Sequence, residues 1–108
     1  MDALEYQIEH MRFMSQVAER LSQLRLEFRS STYDYATMGS WYFTFRKAGS
    51  DYRVVYEGRD YLLSLQVPRK PADPRWDPWV DVASSSTQRH LAPEALLEKT
   101  FALIQAQT

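Results

Sequence analysis

Residues 40–68 read SWYFTFRKAGSDYRVVYEGRDYLLSLQVP, and this stretch decides the fold. Large apolar side chains alternate in it with polar ones, which is the period of two typical of a strand with one buried face. Aromatic and β-branched residues are frequent, as they are in β-strands. Two short polar interruptions, at residues 47–50 and 58–59, divide the stretch into three runs. The pattern therefore predicts three antiparallel strands joined as a meander.

The alternation assigns the side chains of these strands to two faces. One face consists of Trp41, Phe43, Phe45, Tyr52, Val54, Tyr56, Tyr61, Leu63, Leu65 and Val67, and the other of Tyr42, Thr44, Arg46, Arg53, Val55, Glu57, Leu62, Ser64 and Gln66. The sequence leaves open which of the two faces the helices cover. Residues 47–50 suit a four-residue hairpin turn, whereas residues 58–59 suit a two-residue type II′ turn because Gly58 can adopt a positive φ.

Helical spacing replaces the period of two on either side of this stretch. Residues 2–29 carry apolar side chains at steps of three and four, without proline or glycine, which predicts a helix of about seven turns. Its stripe, expected to pack on the sheet, consists of Leu4, Ile8, Met11, Val17, Ala18, Leu21, Leu24 and Phe28. Residues 30–40 form a polar connection in which Tyr33 and Tyr35 can add a short edge strand. A second helix is predicted from Pro93 to about residue 107, since proline suits a first helical position.

Residues 68–81, PRKPADPRWDPWVD, contain four of the five prolines and two of the three tryptophans. Proline has no backbone N–H to donate to a sheet, so this segment ends the third strand and connects it to a fourth, in which Val80 and Val82 alternate with polar residues. Two roles are open for Trp76 and Trp79. They can cover the open end of the core, or they can belong to a binding loop.

These elements predict a single α+β domain, residues 1–108, of order α-β-β-β-β-α. Both helices are expected on one face of a four-stranded antiparallel meander, because that arrangement buries both apolar stripes. The second face of the sheet is then partly solvated.

Composition argues against several classes of function. The net charge is −1, which provides no global field for nucleic acid or for an anionic membrane. Without cysteine the chain cannot form disulfides or thiolate sites. It also lacks a run of about 20 apolar residues that would span a bilayer. The first ten residues, MDALEYQIEH, have neither the basic nor the apolar region of a secretory signal, so secretion is not expected. A cytoplasmic location is expected.

The chemistry-bearing residues do not form a catalytic or metal-binding pattern. The two histidines are His10 and His90, and no metal-ligating residue lies three or four positions from His10 on its helix. His10 is expected to be solvent-facing or satisfied, and His90 to lie in a loop. Gly-x-Ser-x-Gly and glycine-rich phosphate motifs are absent from the sequence. No catalytic residue, metal or cofactor is predicted.

The strongest functional indication is the solvated sheet face. It is expected to carry Tyr42, Arg46, Arg53 and either Tyr56 or its neighbours, and tyrosine and arginine are favoured in binding hot spots. With Trp76 and Trp79 of the adjoining loop, this face predicts a non-catalytic protein-binding module, of adaptor, immunity, chaperone or phage-accessory type. Self-association through the sheet face would make it a homodimer.

Two other interpretations of the sequence remain open. The first is a small-ligand-binding protein with an aromatic pocket between a curled sheet and the long helix, which would be indicated by convergent polar groups and a histidine beside a carboxylate. The second is that the polar residues of the face simply pair across neighbouring strands.

Overall fold

The computed structural model describes residues 3–34, 39–88 and 91–107. Its elements in chain order are α1 (Ala3–Gln23), β1 (Glu27–Asp34), β2 (Ser40–Lys47), β3 (Ser50–Glu57), β4 (Leu62–Pro68), β5 (Trp79–Ser86) and α2 (Pro93–Gln107). The strands form one antiparallel sheet in the order β1-β2-β3-β4-β5. The α+β class and the antiparallel meander predicted from the sequence are therefore confirmed, with five strands instead of four.

The additional strand exists because α1 ends six residues before the predicted boundary. Arg25 adopts a left-handed conformation with φ 61°. Its N–H donates to the carbonyl of Ser22 at 3.0 Å, and the N–H of Leu26 donates to that of Leu21 at 2.8 Å. This pair of hydrogen bonds is a Schellman motif, which satisfies the last helical carbonyls and reverses the chain. Glycine usually occupies the left-handed position of this motif, so Arg25 gave no indication in the sequence that the helix ends here.

Residues beyond this turn belong to β1 instead of the helix. Phe28, expected on the helical stripe, packs on the core from β1 and stacks near Phe43 with ring centroids 6.3 Å apart. Tyr33 lies in the same strand, as predicted, and pairs with Trp41. Tyr35 lies outside the described residues.

The core lies on the face of the sheet that carries Trp41 and Phe43, so the structure decides which face is covered. Phe43, Val54 and Leu65 are fully buried and are aligned across β2, β3 and β4 by the strand register. The helices contribute Phe13, Met14, Val17, Leu21, Leu97, Phe101, Leu103 and Ile104 to the same core cluster. Both helices therefore lie on this one face, as the sequence predicts.

The stripe of α1 that meets the sheet differs from the predicted one in its first half. Leu4, Ile8 and Met11 remain 64%, 41% and 64% exposed. Phe13 and Met14 are buried in their place. At 3.6 residues per turn, positions 4, 8 and 11 lie roughly a third of a turn from positions 14, 17 and 21. The helix therefore has a second apolar stripe that faces away from the sheet.

The first hairpin turn agrees with the sequence. Lys47 pairs with Ser50, and the two residues between them, Ala48 and Gly49, have φ values of 50° and 84°. Two positive φ values are the requirement of a type I′ turn, which matches the twist of the flanking strands.

The predicted two-residue turn at residues 58–59 is wrong. Glu57 pairs with Leu62, so that four residues connect β3 to β4. The positive φ, 53°, belongs to Tyr61 instead of Gly58. Tyr61 therefore lies in the turn and not on the buried strand face. In the turn, its carbonyl accepts hydrogen bonds from the N–H and Oγ1 of Thr87 at 2.6 and 2.8 Å.

The proline-rich segment is the tip of a hairpin that prolongs β4 and β5. Pro68 pairs with Trp79, and the N–H of Arg69 donates to the carbonyl of Pro78 at 2.8 Å. Trp76, at the tip, is 62% exposed. Trp79 is half-buried, and its ring lies against Arg53. Neither tryptophan covers the core, so that interpretation of the segment is wrong.

Candidate functional site on the outer sheet face

The candidate site lies on the side of the sheet opposite the helices, called the outer face below. The strand register aligns its side chains in rows, because antiparallel partners point to the same side. Its central row consists of Thr44, Arg53, Gln66 and Asp81. The flanking rows contain Tyr42, Val55, Ser64 and Ser84 on one side, and Arg46, Asp51, Pro68 and Trp79 on the other.

Arg53 lies at the centre of this face and is held by two aromatic rings. Its guanidinium carbon is 5.1 Å from the ring centroid of Tyr42 and 4.9 Å from that of Trp79. Both distances fall within the range of cation–π attraction. Its Nε donates to Oε1 of Gln66 at 2.6 Å, and Nε2 of Gln66 donates to Oδ1 of Asp81 at 2.7 Å. The guanidinium is therefore fixed in position and orientation before any ligand arrives.

The electrostatic setting of Arg53 follows from this packing. Burial between the rings lowers its pKa, and the nearby charges of Asp77 and Asp81 act in the opposite direction. An arginine remains protonated nonetheless, so the result is a partly desolvated cation. Of the three guanidinium nitrogens of Arg53, only Nε donates to an acceptor among the residues that the structure describes. Its terminal amino groups are donors available to a ligand.

In the neighbouring row, Arg46 and Asp51 form an ion pair across two strands. Nε of Arg46 donates to Oδ1 of Asp51 at 2.8 Å, and this hydrogen bond raises the pKa of Arg46 and lowers that of Asp51. Ser30 and Thr44 share a hydrogen bond of 2.6 Å between their hydroxyls. Cross-strand pairing therefore accounts for these residues, as the second open interpretation expected.

A surface depression of about 350 Å³ adjoins the Arg53 cluster. Its lining consists of Arg29, Ser30, Thr44, Arg46, Asp51 and Trp79. Trp79 thus contacts Arg53 and also borders the depression, which makes the two features one continuous surface.

The structure brings together most of the predicted site residues. Tyr42, Arg53 and Trp79 form one cluster, and Arg46 lies beside it in the depression. Trp76 is separate, at the exposed hairpin tip.

Two other positions differ from the expectation. Tyr56, which the sequence allowed on this face, lies on the helix side, where it stacks on Trp41 at 5.4 Å. Its neighbour Val55 takes the outer position. Gln66, which orients Arg53, was missed, although the alternation of the third predicted strand places it on this side.

The alternative site is a groove between α1, β1, β2 and the start of α2. Its volume is about 240 Å³, and its lining includes Tyr6, Glu9, His10, Tyr33, Trp41 and Leu96. Ligand pockets usually enclose about 300 Å³ or more, so this groove is at the small end. It does bring a histidine and a carboxylate to one aromatic-lined surface.

His10 is neither solvent-facing nor satisfied, contrary to the expectation. Its ring stacks on Tyr33 with centroids 4.6 Å apart, and its Nε2 is buried without a hydrogen-bond partner in the described part of the chain. Burial lowers the pKa of His10 and so favours the neutral imidazole. His90, which was predicted to lie in a loop, is outside the described residues.

The described ranges contain no group of three or more histidine, cysteine, aspartate and glutamate residues suited to holding a metal ion. Within the same ranges, neither helix is both long enough and apolar enough to cross a membrane. No family model, curated protein or solved structure matches this chain. Fold and surface chemistry therefore define it as an α+β domain with a pre-organised arginine–aromatic cluster on its outer face.

Proposed function

We propose that this chain is a non-catalytic protein-binding module that docks a partner on its outer face through Arg53. The observation that carries the proposal is the guanidinium of Arg53 over the rings of Tyr42 and Trp79, whose terminal amino groups have no acceptor among the described residues. The types of protein-binding module that we consider are adaptor, immunity, chaperone and phage-accessory proteins. The partner we infer is a protein segment that presents a carboxylate.

The energetics of this arrangement favour binding. A surface arginine normally loses side-chain entropy when it binds, at a cost of about 0.5–1.5 kcal/mol. Arg53 is already ordered by two rings and by Gln66, so most of that loss has occurred on folding. A carboxylate would accept hydrogen bonds from the terminal amino groups, and bonds to charged groups of this kind are about twice as strong as neutral ones.

The rings and the depression extend the contact beyond one ion pair. Trp79 and Tyr42 are residue types enriched in interface hot spots, where they supply apolar area and a polar tip. The depression beside Trp79 can receive a side chain adjacent to the carboxylate. Interface hot spots usually form one cluster near the centre of the contact, surrounded by a polar rim. The Arg53 cluster has this arrangement on the outer face.

Quantitative affinity capture tests this proposal. The immobilised wild-type chain is compared with Arg53→Gln and Trp79→Ala, and with the control Arg75→Gln, which changes an arginine at the exposed hairpin tip. Proteins lost in the first two variants and retained in the control are then purified and titrated individually. For a hot-spot arginine we expect a loss of about 2 kcal/mol, or roughly 30-fold in Kd. The proposal is contradicted if wild type and Arg53→Gln capture the same proteins with Kd values within about twofold of each other.

The His10 groove supports a second candidate, a small-ligand-binding protein. Its aromatic lining and the adjacent Glu9 suit a planar ligand with a polar group. Native mass spectrometry separates the two candidates, since a ligand carrier retains a small non-protein mass that Trp41→Leu removes and Arg53→Gln leaves in place.

A further inference from the structure

We propose that this chain forms a homodimer in which two copies of α1 pack antiparallel along the stripe of Leu4, Ile8 and Met11, called the α1 stripe. This inference does not depend on the proposed function, because α1 lies on the opposite side of the sheet from the outer face. Both surfaces can be occupied at the same time.

The α1 stripe has the pattern of a helix-pairing seam. Its three large apolar side chains are exposed, although the core already has a separate helical stripe of its own. Steps of four and three residues are the spacing of alternate a and d positions in a coiled coil. The stripe continues through Ser15 and Ala18, which are small, so the apolar contact is confined to the first half of the helix.

Charged residues beside the α1 stripe favour a second copy in antiparallel orientation. Glu5 and Arg12 are seven positions apart, and therefore lie on the same flank of the stripe. A two-fold axis crossing the helix between Ile8 and Met11 brings Glu5 of one copy to Arg12 of the other, and symmetry repeats the pair. In a parallel pairing each flank faces the opposite flank of the partner, so Arg12 would lie beside the uncharged Gln7 instead of Glu5. The charges beside the α1 stripe thus favour the antiparallel orientation.

The size of the α1 stripe determines how strong the association can be. Two turns of one helix bury less than the roughly 1,200 Å² in total that marks the lower limit of standard interfaces. We therefore expect a reversible dimer with a Kd of about tens of micromolar. The two Glu5–Arg12 pairs are exposed at the rim, so they contribute to orientation more than to affinity.

Sedimentation velocity from about 5 to about 500 µM tests the dimer directly. We expect a concentration-dependent rise from monomer to dimer mass in the wild-type chain. Ile8→Lys should leave only monomer, because it places a charge in the centre of the seam. Val82→Lys is the matched control, since Val82 is also a large exposed apolar residue but lies on β5, and it should dimerise like wild type. Circular dichroism of each variant checks that it remains folded.

A charge exchange tests the orientation of the helices. Glu5→Arg and Arg12→Glu should each weaken dimerisation about threefold or more, and the double variant should recover the wild-type Kd within about twofold. The proposal is overturned by a wild-type chain that stays monomeric throughout, by a dimer that persists in Ile8→Lys, or by a double variant no better than the single ones. Loss of the dimer in Arg53→Gln alone would overturn it in favour of self-association through the outer face.

Discussion

Trp79 provides the sharpest test of how the outer face is built. Truncating a fully buried aromatic side chain costs about 3–5 kcal/mol, and surface substitutions stay within about 0.5 kcal/mol. Trp79 is half-buried, and the guanidinium carbon of Arg53 lies 4.9 Å from the centroid of its ring. We therefore expect Trp79→Ala to lower the free energy of unfolding by about 2 kcal/mol, of which the cation–π contact supplies about 0.5–1 kcal/mol.

Urea denaturation followed by circular dichroism measures this loss without relying on tryptophan emission. With an m-value of about 1.5–2 kcal/mol/M, the midpoint should fall by about 1 M. A double-mutant cycle with Arg53→Met isolates the contact between the two side chains, with an expected coupling of about 0.5–1 kcal/mol. Trp76→Ala is the control and should stay within about 0.5 kcal/mol of wild type, since Trp76 is 62% exposed.

Two results would refute this account of Trp79. A loss of about 3 kcal/mol or more would show that the ring belongs to the core, as the sequence allowed. A coupling indistinguishable from zero would show that the ring is not held over Arg53. In that case the outer face would lack its fixed guanidinium, and the proposed docking site would lose its main support.

Two further predictions concern the turn after α1 and the buried histidine. Arg25→Gly should raise the free energy of unfolding by up to about 1 kcal/mol in urea denaturation, because glycine adopts the φ of 61° without a Cβ penalty; a loss of stability would contradict the assigned Schellman turn. Burial lowers the pKa of His10 in the folded state below 6.5, the value of an unperturbed histidine, so the unfolded state binds more protons. The contribution of His10 to stability measured by denaturation should therefore be fully present well above pH 6.5 and decrease as the pH falls through this value. His10→Phe should remove this pH dependence, whereas an unchanged pH dependence in His10→Phe would show that another group is responsible.

The sequence predicted the sheet well because its signal is local and redundant. Side chains that alternate through Trp41, Phe43 and Phe45 can bury one face only in one register, so a few residues determine both the strand and its orientation. The end of α1 has no such redundancy. It depends on one residue, Arg25, in a conformation that the long-range packing of Leu26 and Phe28 selects. Helical spacing that continues by chance across residues 24–28 then predicts a longer helix than the one that forms.

The choice between the two apolar stripes of α1 also depends on tertiary packing. Leu4, Ile8 and Met11 are as apolar as the residues that are buried, and spacing alone cannot rank them. Of the strands, β1 has the most extensive contact with α1, and the sequence did not clearly predict this strand. The side of α1 that β1 leaves exposed could therefore be identified only from the assembled fold.

The position of Trp79 shows why the candidate site was foreseen only in part. The sequence named Tyr42, Arg53 and Trp79 as separate candidates, because their residue types favour binding. A register shift between Leu65 and Gln66 places Asp81 opposite Gln66 and Trp79 opposite Pro68, with Val82 as the extra residue of a β-bulge. Without that residue, uninterrupted pairing would set Val82 opposite Gln66 and turn Asp81 and Trp79 toward the helices. The bulge thus delivers the second ring to Arg53, and a one-residue irregularity in β5 converts a solvated row of polar side chains into a fixed arginine–aromatic cluster.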